Sequence, residues 1–228
     1  RGVDVSAEVG EAARDFDAGV AAEADSQVAL EGRGTFYMTL ALQLQPRGMD
    51  VREYLQKGLQ DYTAVLTANP RHRAVMANRA TAYLLLGDAR AARGEDGMAE
   101  YRRALGDLTE LIAGSRDATL LVNRAYCRRK IASLEQASGG NVRETVLEAI
   151  VDLEAALKIA PNHPNGMEMM AEVYAELAPL ERDGFMQALG MRRRHLYDVR
   201  ANGAFERIRR ARDHFAAAVD DRQAVAQP

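Results

Sequence analysis

The chain has 228 residues, of which 47% are hydrophobic and 28% are charged, and its formal net charge at pH 7 is −3. This composition excludes a disordered chain, and a net charge so close to zero disfavours nucleic-acid binding by the chain as a whole. Tryptophan is absent and aromatic residues make up only 6%, while alanine, leucine, arginine and glutamate are abundant, which favours helices. A single cysteine forbids an internal disulfide and favours a cytoplasmic location. No apolar run approaches the roughly 20 residues of a membrane span, so a membrane is not expected as a partner.

An internal repeat of about 46 residues organises the sequence. One recurring position is an aspartate, found at Asp15, Asp61, Asp107 and Asp152. A second is an arginine followed by a small residue, found at Arg33-Gly34, Arg79-Ala80 and Arg124-Ala125. A third marks turns, at Arg1-Gly2, Arg47-Gly48, Arg93-Gly94 and Gly139-Gly140. Three patterns in one register predict tandem copies of a single structural unit.

The first segment, residues 1–25, predicts half of such a unit. Arg1 occupies the position of Arg47, in the turn before a second helix, and Asp15 and Phe16 belong to that helix. Without a first helix to cover it, the apolar face of this second helix is expected to be exposed. We therefore expect the natural protein to extend upstream of Arg1, as a longer array or another domain.

Three full units follow, at about 26–70, 71–116 and 117–162, and each predicts a pair of antiparallel helices. The first helix of a pair carries the arginine and the small residue. In the second helix a small residue is followed by apolar residues four and eight positions later, as in Gly58, Tyr62 and Leu66, which indicates a core-facing stripe. Pro70 and Pro161 are expected to end two second helices. The aspartate column is expected to be structural, with Arg33, Arg79 and Arg124 as candidate partners between helices.

These positions resemble the motif of the tetratricopeptide (TPR) repeat family. The matching residues are Ala80, Tyr83, Ala104 and Leu108 in one unit, and Ala125, Ala149, Leu153 and Pro161 in the next. The resemblance covers about residues 8–180 and implies an all-α fold, an α-solenoid of antiparallel helix pairs wound into a right-handed superhelix, with residues 1–228 as a single domain. The family's unit is about 34 residues long. The dozen extra residues between Tyr83 and Ala104 predict helices lengthened around the turn.

In this family the first helices line a concave groove, and the resemblance implies a binding site there for a protein or peptide. The implied groove residues are Thr35, Asn78, Thr81, Asn123, Tyr126, Asn165 and Glu172. Asn78 and Asn123 match asparagines that hold the ligand backbone in peptide-binding members, and a side-chain amide can donate and accept at once. Helix capping is the alternative role for both. Members that clamp a chaperone's C-terminal carboxylate use lysine and arginine where this chain has Ala74, Ala77, Thr119 and Val122, so that specificity is not expected.

The last segment, residues 163–228, predicts a divergent capping unit with about 16 added residues, and it is rich in arginine. Candidate anion-binding residues are Arg192, Arg193, Arg194, Arg209 and Arg210. Because the start of the chain is acidic, head-to-tail self-association is a second possibility. A third is that these arginines only lie on solvent-exposed helix faces of the cap.

The sequence offers no constellation typical of catalysis, so we expect no enzyme activity, no metal and no cofactor. His72 and His163 fall in turns, and Cys127 is expected to be a core thiol rather than a nucleophile. The leading hypothesis is a protein-interaction scaffold within a larger bacterial protein. One alternative is the regulatory repeat region of a bacterial serine/threonine kinase or another enzyme. The other is polyanion or RNA binding by the C-terminal arginines.

Overall fold

The computed structural model describes residues 6–24, 26–140, 142–170, 172, 173 and 176, with side chains from residue 10 onward. Within this part of the chain every regular element is helical. The helices are α1 (Ser6–Ala22), α2 (Gln27–Leu44), α3 (Arg52–Ala68), α4 (Arg73–Ala91), α5 (Met98–Ile112), α6 (Ala118–Ala137) and α7 (Arg143–Ile159). A 3-10 turn, Gln45–Arg47, follows α2, and residues 164–170 are helical. The predicted all-α class is confirmed.

The helices belong to two compact units, the first ending at Ser115 and the second beginning at Arg116. In the first unit each helix from α1 to α5 packs on the next in chain order, and α2 also contacts α4. In the second unit α6 packs on α7. Stacked hairpins in sequence order are the arrangement of a TPR-like α-solenoid, as predicted.

The hairpins are α2–α3, α4–α5 and α6–α7, and α1 precedes them without a first helix among the described residues. Their helices are 15 to 20 residues long. The unit boundaries and the single-domain description stay predictions, and most of the predicted capping unit 163–228 lies outside the described residues.

The turn inside each hairpin has the same backbone geometry. Gly48, Gly94 and Gly139 have φ angles of 75°, 73° and 79°, in the left-handed region that favours glycine. The residue before each second helix is Val51, Gly97 or Val142, with φ near −100° and ψ near 0°. The turn signals of the sequence therefore mark one recurring loop.

Small residues allow the two helices of a hairpin to approach closely. A Cβ added to Gly58 would lie 3.0 Å from the carbonyl oxygen of Gly34, and the equivalent Ala104 and Ala149 are completely buried. Four positions on, Tyr62, Leu108 and Leu153 are buried as predicted. On the next rung the predicted Leu66 is also buried, and Val65 beside it is completely buried, whereas in the other two hairpins Leu111 and Ala156 are buried and Ile112 and Leu157 are only half-buried. With 3.6 residues per turn, positions three and four residues on lie at either side of the stripe.

Two prolines and two histidines mark where one hairpin ends and the next helix begins. Helices α3 and α7 end at Ala68 and Ile159, two residues before Pro70 and Pro161, as predicted. His72 then caps α4, since its Nδ1 accepts a hydrogen bond from the backbone N–H of Val75 at 3.4 Å. His163 does the same for the N–H of Gly166 at 3.2 Å. The sequence placed both histidines in turns but did not predict this capping role.

The packing of α4 on α5 makes Gly97 a sensitive position. A Cβ there would lie 2.8 Å from the carbonyl oxygen of Gly87, and a backbone atom in a packed helix cannot move away cheaply. We expect Gly97→Ala to lower the free energy of unfolding by about 1–3 kcal/mol. Gly106→Ala is the matched control, because nothing lies within 4 Å of its Cβ position, and it should stabilise α5 by about 0.5–1 kcal/mol. Urea unfolding followed by circular dichroism measures both, and equal effects would contradict the close approach.

Candidate functional site

Each hairpin contains an arginine–aspartate pair that joins its two helices. Arg33 donates from Nε and Nη2 to the two carboxylate oxygens of Asp61, at 2.9 and 2.8 Å. Arg79 makes the same two-pronged contact with Asp107, at 2.8 and 2.8 Å, and Arg124 makes it with Asp152. We call these three contacts the hairpin ion pairs. They confirm the predicted pairing and the structural role of Asp61, Asp107 and Asp152 in the aspartate column.

The aspartates of the hairpin ion pairs are buried, with exposed fractions of 3%, 8% and 2% for Asp61, Asp107 and Asp152. A buried carboxylate needs a close cation, and a planar guanidinium can satisfy both of its oxygens. The hydrogen bond to Asp61 raises the pKa of Arg33, and Asp107 and Asp152 raise the pKa of Arg79 and Arg124 in the same way. The charges are thus fixed inside the hairpins and are not a surface for a ligand.

The predicted groove residues of the first compact unit, which ends at Ser115, lie on α2 and α4. These are the first helices of two successive hairpins, and they contact each other. All three, Thr35, Asn78 and Thr81, are half-buried. The Thr35 hydroxyl accepts a hydrogen bond from Tyr62 at 3.3 Å, and the Thr81 hydroxyl donates to the carbonyl of Ala77 at 3.0 Å. The side-chain amide of Asn78 has no hydrogen-bond partner among the described residues.

The predicted groove residues of the second compact unit, which begins at Arg116, lie on α6 and at positions 165 and 172. Asn123 and Tyr126 are half-buried, Asn165 is exposed, and the Nζ of Lys130 lies 5.1 Å from the centre of the Tyr126 ring. Glu172 forms an ion pair with Arg129 at 2.8 Å. Like Asn78, Asn123 has no hydrogen-bond partner for its side-chain amide in the part of the chain that is described. Neither asparagine caps a described helix, and the groove role and the capping role of both residues stay predictions.

Two arginines after Asn123 are engaged inside the second unit. Arg128 forms ion pairs with Asp152 and Glu148, and it occupies the place of Tyr37 and Tyr83 in the repeat. Arg129 bridges Glu172 and Glu176. The separations of 43 and 47 residues between Arg129 and its two glutamates gave no signal in the sequence that would have predicted their pairing. Arg128 and Arg129 are therefore both engaged by acidic side chains of the protein itself.

The remaining expectations concern the C-terminal arginines, the cysteine, metal binding and membrane spans. Arg192, Arg193, Arg194, Arg209 and Arg210 lie outside the described residues. The Cys127 side chain is buried in the core, as expected. Among the described residues no cluster of histidine, cysteine and acidic side chains has the makings of a metal site, and no helix there has the length and apolarity to cross a membrane.

The comparisons with known proteins give a structural likeness alone. No protein-family model matches the chain, and no curated protein matches it. Among solved structures, it is similar to a chain described as the first TPR of Spaghetti (RPAP3) bound to the HSP90 peptide SRMEEVD. The two chains are 17% identical with a TM-score of 0.44, and the likeness covers 65% of this chain and 95% of the other. The class of this protein, an all-helical array of TPR-like hairpins, follows from its own helices.

Removing one partner of a hairpin ion pair should lower the free energy of unfolding more than replacing both partners with apolar residues. Arg79→Met leaves the Asp107 carboxylate buried without a cation and should cost about 3 kcal/mol of the free energy of unfolding. The double variant Arg79→Met/Asp107→Leu should recover most of that loss, because no buried charge remains. Urea unfolding of both variants and of wild type measures the difference.

The exposed pair Lys57–Glu53, 3.0 Å apart on α3, is the matched control. Lys57→Met should cost less than about 0.5 kcal/mol. If Arg79→Met costs as little as Lys57→Met, or if the double variant is no more stable than Arg79→Met, the buried pair does not have the role described.

Proposed function

We propose that this protein is a protein-interaction scaffold that binds an extended peptide segment of a partner along its first helices. The proposal rests on the burial and hydrogen bonding of the Asn78 and Asn123 side chains. They occupy equivalent positions of the repeat, both are half-buried, and both amides lack a partner among the described residues.

Because both amides are partly exposed and make no hydrogen bond to a described residue, they are available to bond a ligand without breaking an internal contact. An asparagine side chain donates and accepts at the same time, so it fits the alternating N–H and C=O groups of an extended backbone. The arginines that follow Asn78 and Asn123 are held in the hairpin ion pairs, whereas the two amides have no hydrogen-bond partner among the described residues. The TPR resemblance of the sequence agrees with this role.

The remaining site residues of the proposal are Thr35 and Thr81 beside Asn78 in the first unit, and Tyr126, Asn165 and Glu172 beside Asn123 in the second. Each set is proposed as a separate contact surface. Regulation of an attached enzyme and binding of polyanions by Arg192 to Arg194, Arg209 and Arg210 stay alternative predictions.

A peptide-display selection tests the proposal without knowledge of the partner. Peptides selected on the wild-type chain are then titrated against Asn78→Ala and Asn123→Ala by fluorescence anisotropy. We expect about tenfold weaker binding for the variant whose surface the peptide contacts, since an amide pairs with two backbone groups. Circular dichroism should be unchanged, because neither side chain bonds to another described residue.

Asn162→Ala is the matched control, because Asn162 is an exposed asparagine in the turn after Pro161. It should bind the selected peptides as wild type does. A selection that yields no peptide, or peptides that bind both Asn78→Ala and Asn123→Ala as tightly as wild type, would contradict the proposed site.

A further inference from the structure

Two helical segments begin at a histidine whose side chain caps the helix. The Nδ1 atom of His72 accepts a hydrogen bond from the N–H of Val75 at the start of α4, and the Nδ1 atom of His163 accepts one from the N–H of Gly166 at the start of residues 164–170. We call His72 and His163 the cap histidines. A ring nitrogen accepts a hydrogen bond only while it carries no proton, so both caps require a neutral imidazole with its proton on Nε2.

In α2 and α6 the same hydrogen bond is made by a different acceptor. The Ser26 hydroxyl accepts from the N–H of Ala29 at 3.4 Å, and the Asp117 carboxylate accepts from the N–H of Leu120 at 3.3 Å. In mild acid a hydroxyl keeps its proton and an ordinary aspartate stays ionised above about pH 5, whereas imidazole changes its charge between about pH 5 and 8. Mild acid therefore affects the cap histidines differently from Ser26 and Asp117.

The charged groups around His72 partly compensate for a lost cap. Its Nε2 atom lies 3.4 Å from a carboxylate oxygen of Glu31 in α2, so protonation would strengthen this ion pair while it removes the hydrogen bond to the helix. Arg71 and Arg73 flank His72 in the chain, and like charges oppose its protonation. No charged group of α3 or α5 forms an ion pair with His72 in the described part of the chain.

His163 has no carboxylate of this kind. Val122 of α6 occupies the repeat position of Glu31, and its Cγ2 atom would lie 3.3 Å from a Cβ added to Gly166. Within the described ranges, no charged group of α6 or α7 forms an ion pair with His163. Protonation would therefore remove the cap and place a positive charge at a helix N-terminus, where the helix dipole disfavours a cation.

We propose that the cap histidines make the starts of α4 and of residues 164–170 sensitive to pH, so that both first turns loosen when the imidazoles are protonated. The stabilisation requires the neutral imidazole, so it is present in neutral solution and is lost as the pH falls. The loss is expected to be larger at His163, because Glu31 offsets part of it at His72. Helices α2 and α6 keep their caps over the same pH range.

The loosening at His163 would regulate the proposed peptide surface of the second unit. Asn165, one of the residues proposed for that surface, lies in the first turn after His163. Peptides that contact this surface should therefore bind less tightly in mild acid. This consequence rests on the proposed function, whereas the pH sensitivity of the two caps does not.

Amide hydrogen exchange of the full chain, measured by nuclear magnetic resonance at about pH 7.5 and about pH 5, tests the proposal. The quantity compared is the protection factor, which is the exchange rate in an unstructured peptide divided by the rate in the protein at the same pH. We expect the protection factor to fall about fivefold at Gly166 and less at Val75. At Ala29 and Leu120 it should stay within about twofold.

His72→Asp and His163→Asp are the matched variants, because Asp117 makes the same cap in α6 without an imidazole. Each variant should remove the pH dependence at its own helix and leave the other helix as in wild type. The proposal is wrong if Gly166 keeps its protection at about pH 5, or if it loses as much in His163→Asp as in wild type. It is also wrong if Ala29 and Leu120 lose as much as Gly166, because the whole chain then loosens.

The effect on binding is measured with selected peptides that contain no histidine and lose affinity in Asn123→Ala. Fluorescence anisotropy should show weaker binding to wild type at about pH 5 than at about pH 7.5, and equal binding to His163→Asp at both. If Gly166 loses its protection while the affinity stays constant, Asn165 does not contact the peptide and the proposed surface is wrong at that residue.

Discussion

The hairpin ion pairs are the interaction on which the rest of the structure depends. A carboxylate buried between two helices is strongly unfavourable unless a guanidinium reaches both of its oxygens, so the helices have only one relative register in which the charge is satisfied. The arginine sits beside the small residue that lets the two backbones approach, and the aspartate sits beside Tyr62, Leu108 or Leu153. Close packing and charge pairing therefore require the same register, and the repetition of this requirement makes the hairpins alike.

The same constraint separates the structural charges from the functional groups. Because Arg33, Arg79, Arg124 and Arg128 are committed to buried aspartates, they are not free to bind a carboxylate or phosphate on a partner. Asn78 and Asn123 each lie one residue before a paired arginine, and their amides have no hydrogen-bond partner among the described residues. At α1, Asp15 and Phe16 occupy the repeat positions of Asp61 and Tyr62, and no first helix lies on them among the described residues.

Much of the fold could be predicted from the sequence because its signals are local and repeat. The turn glycines, the helix-ending prolines, the small-residue contacts and the aspartate partners all follow from positions 28 or about 46 residues apart. What escaped prediction depends on contacts that do not repeat. The capping by His72 and His163 depends on a side-chain angle, and the half-burial of Ile112 and Leu157 depends on the packing of α5 and α7. The Arg129 bridge to Glu172 and Glu176 depends on the position of the residues that follow α7. The predicted groove residues could be placed on helices, but their hydrogen-bond partners, such as Tyr62 for Thr35, follow only from the packed structure.

The most direct measurement of the central claim is the solvent exchange of the arginine Nε–H groups, observed by nuclear magnetic resonance in protein with labelled arginine. The Nε–H groups of Arg33, Arg79 and Arg124 each donate to a buried carboxylate. We predict three slowly exchanging Nε–H signals, one of which is lost in each of the variants Asp61→Ala, Asp107→Ala and Asp152→Ala. If the Nε–H groups of all three arginines exchange as fast as those of exposed arginines, the hairpins are not held together by these pairs.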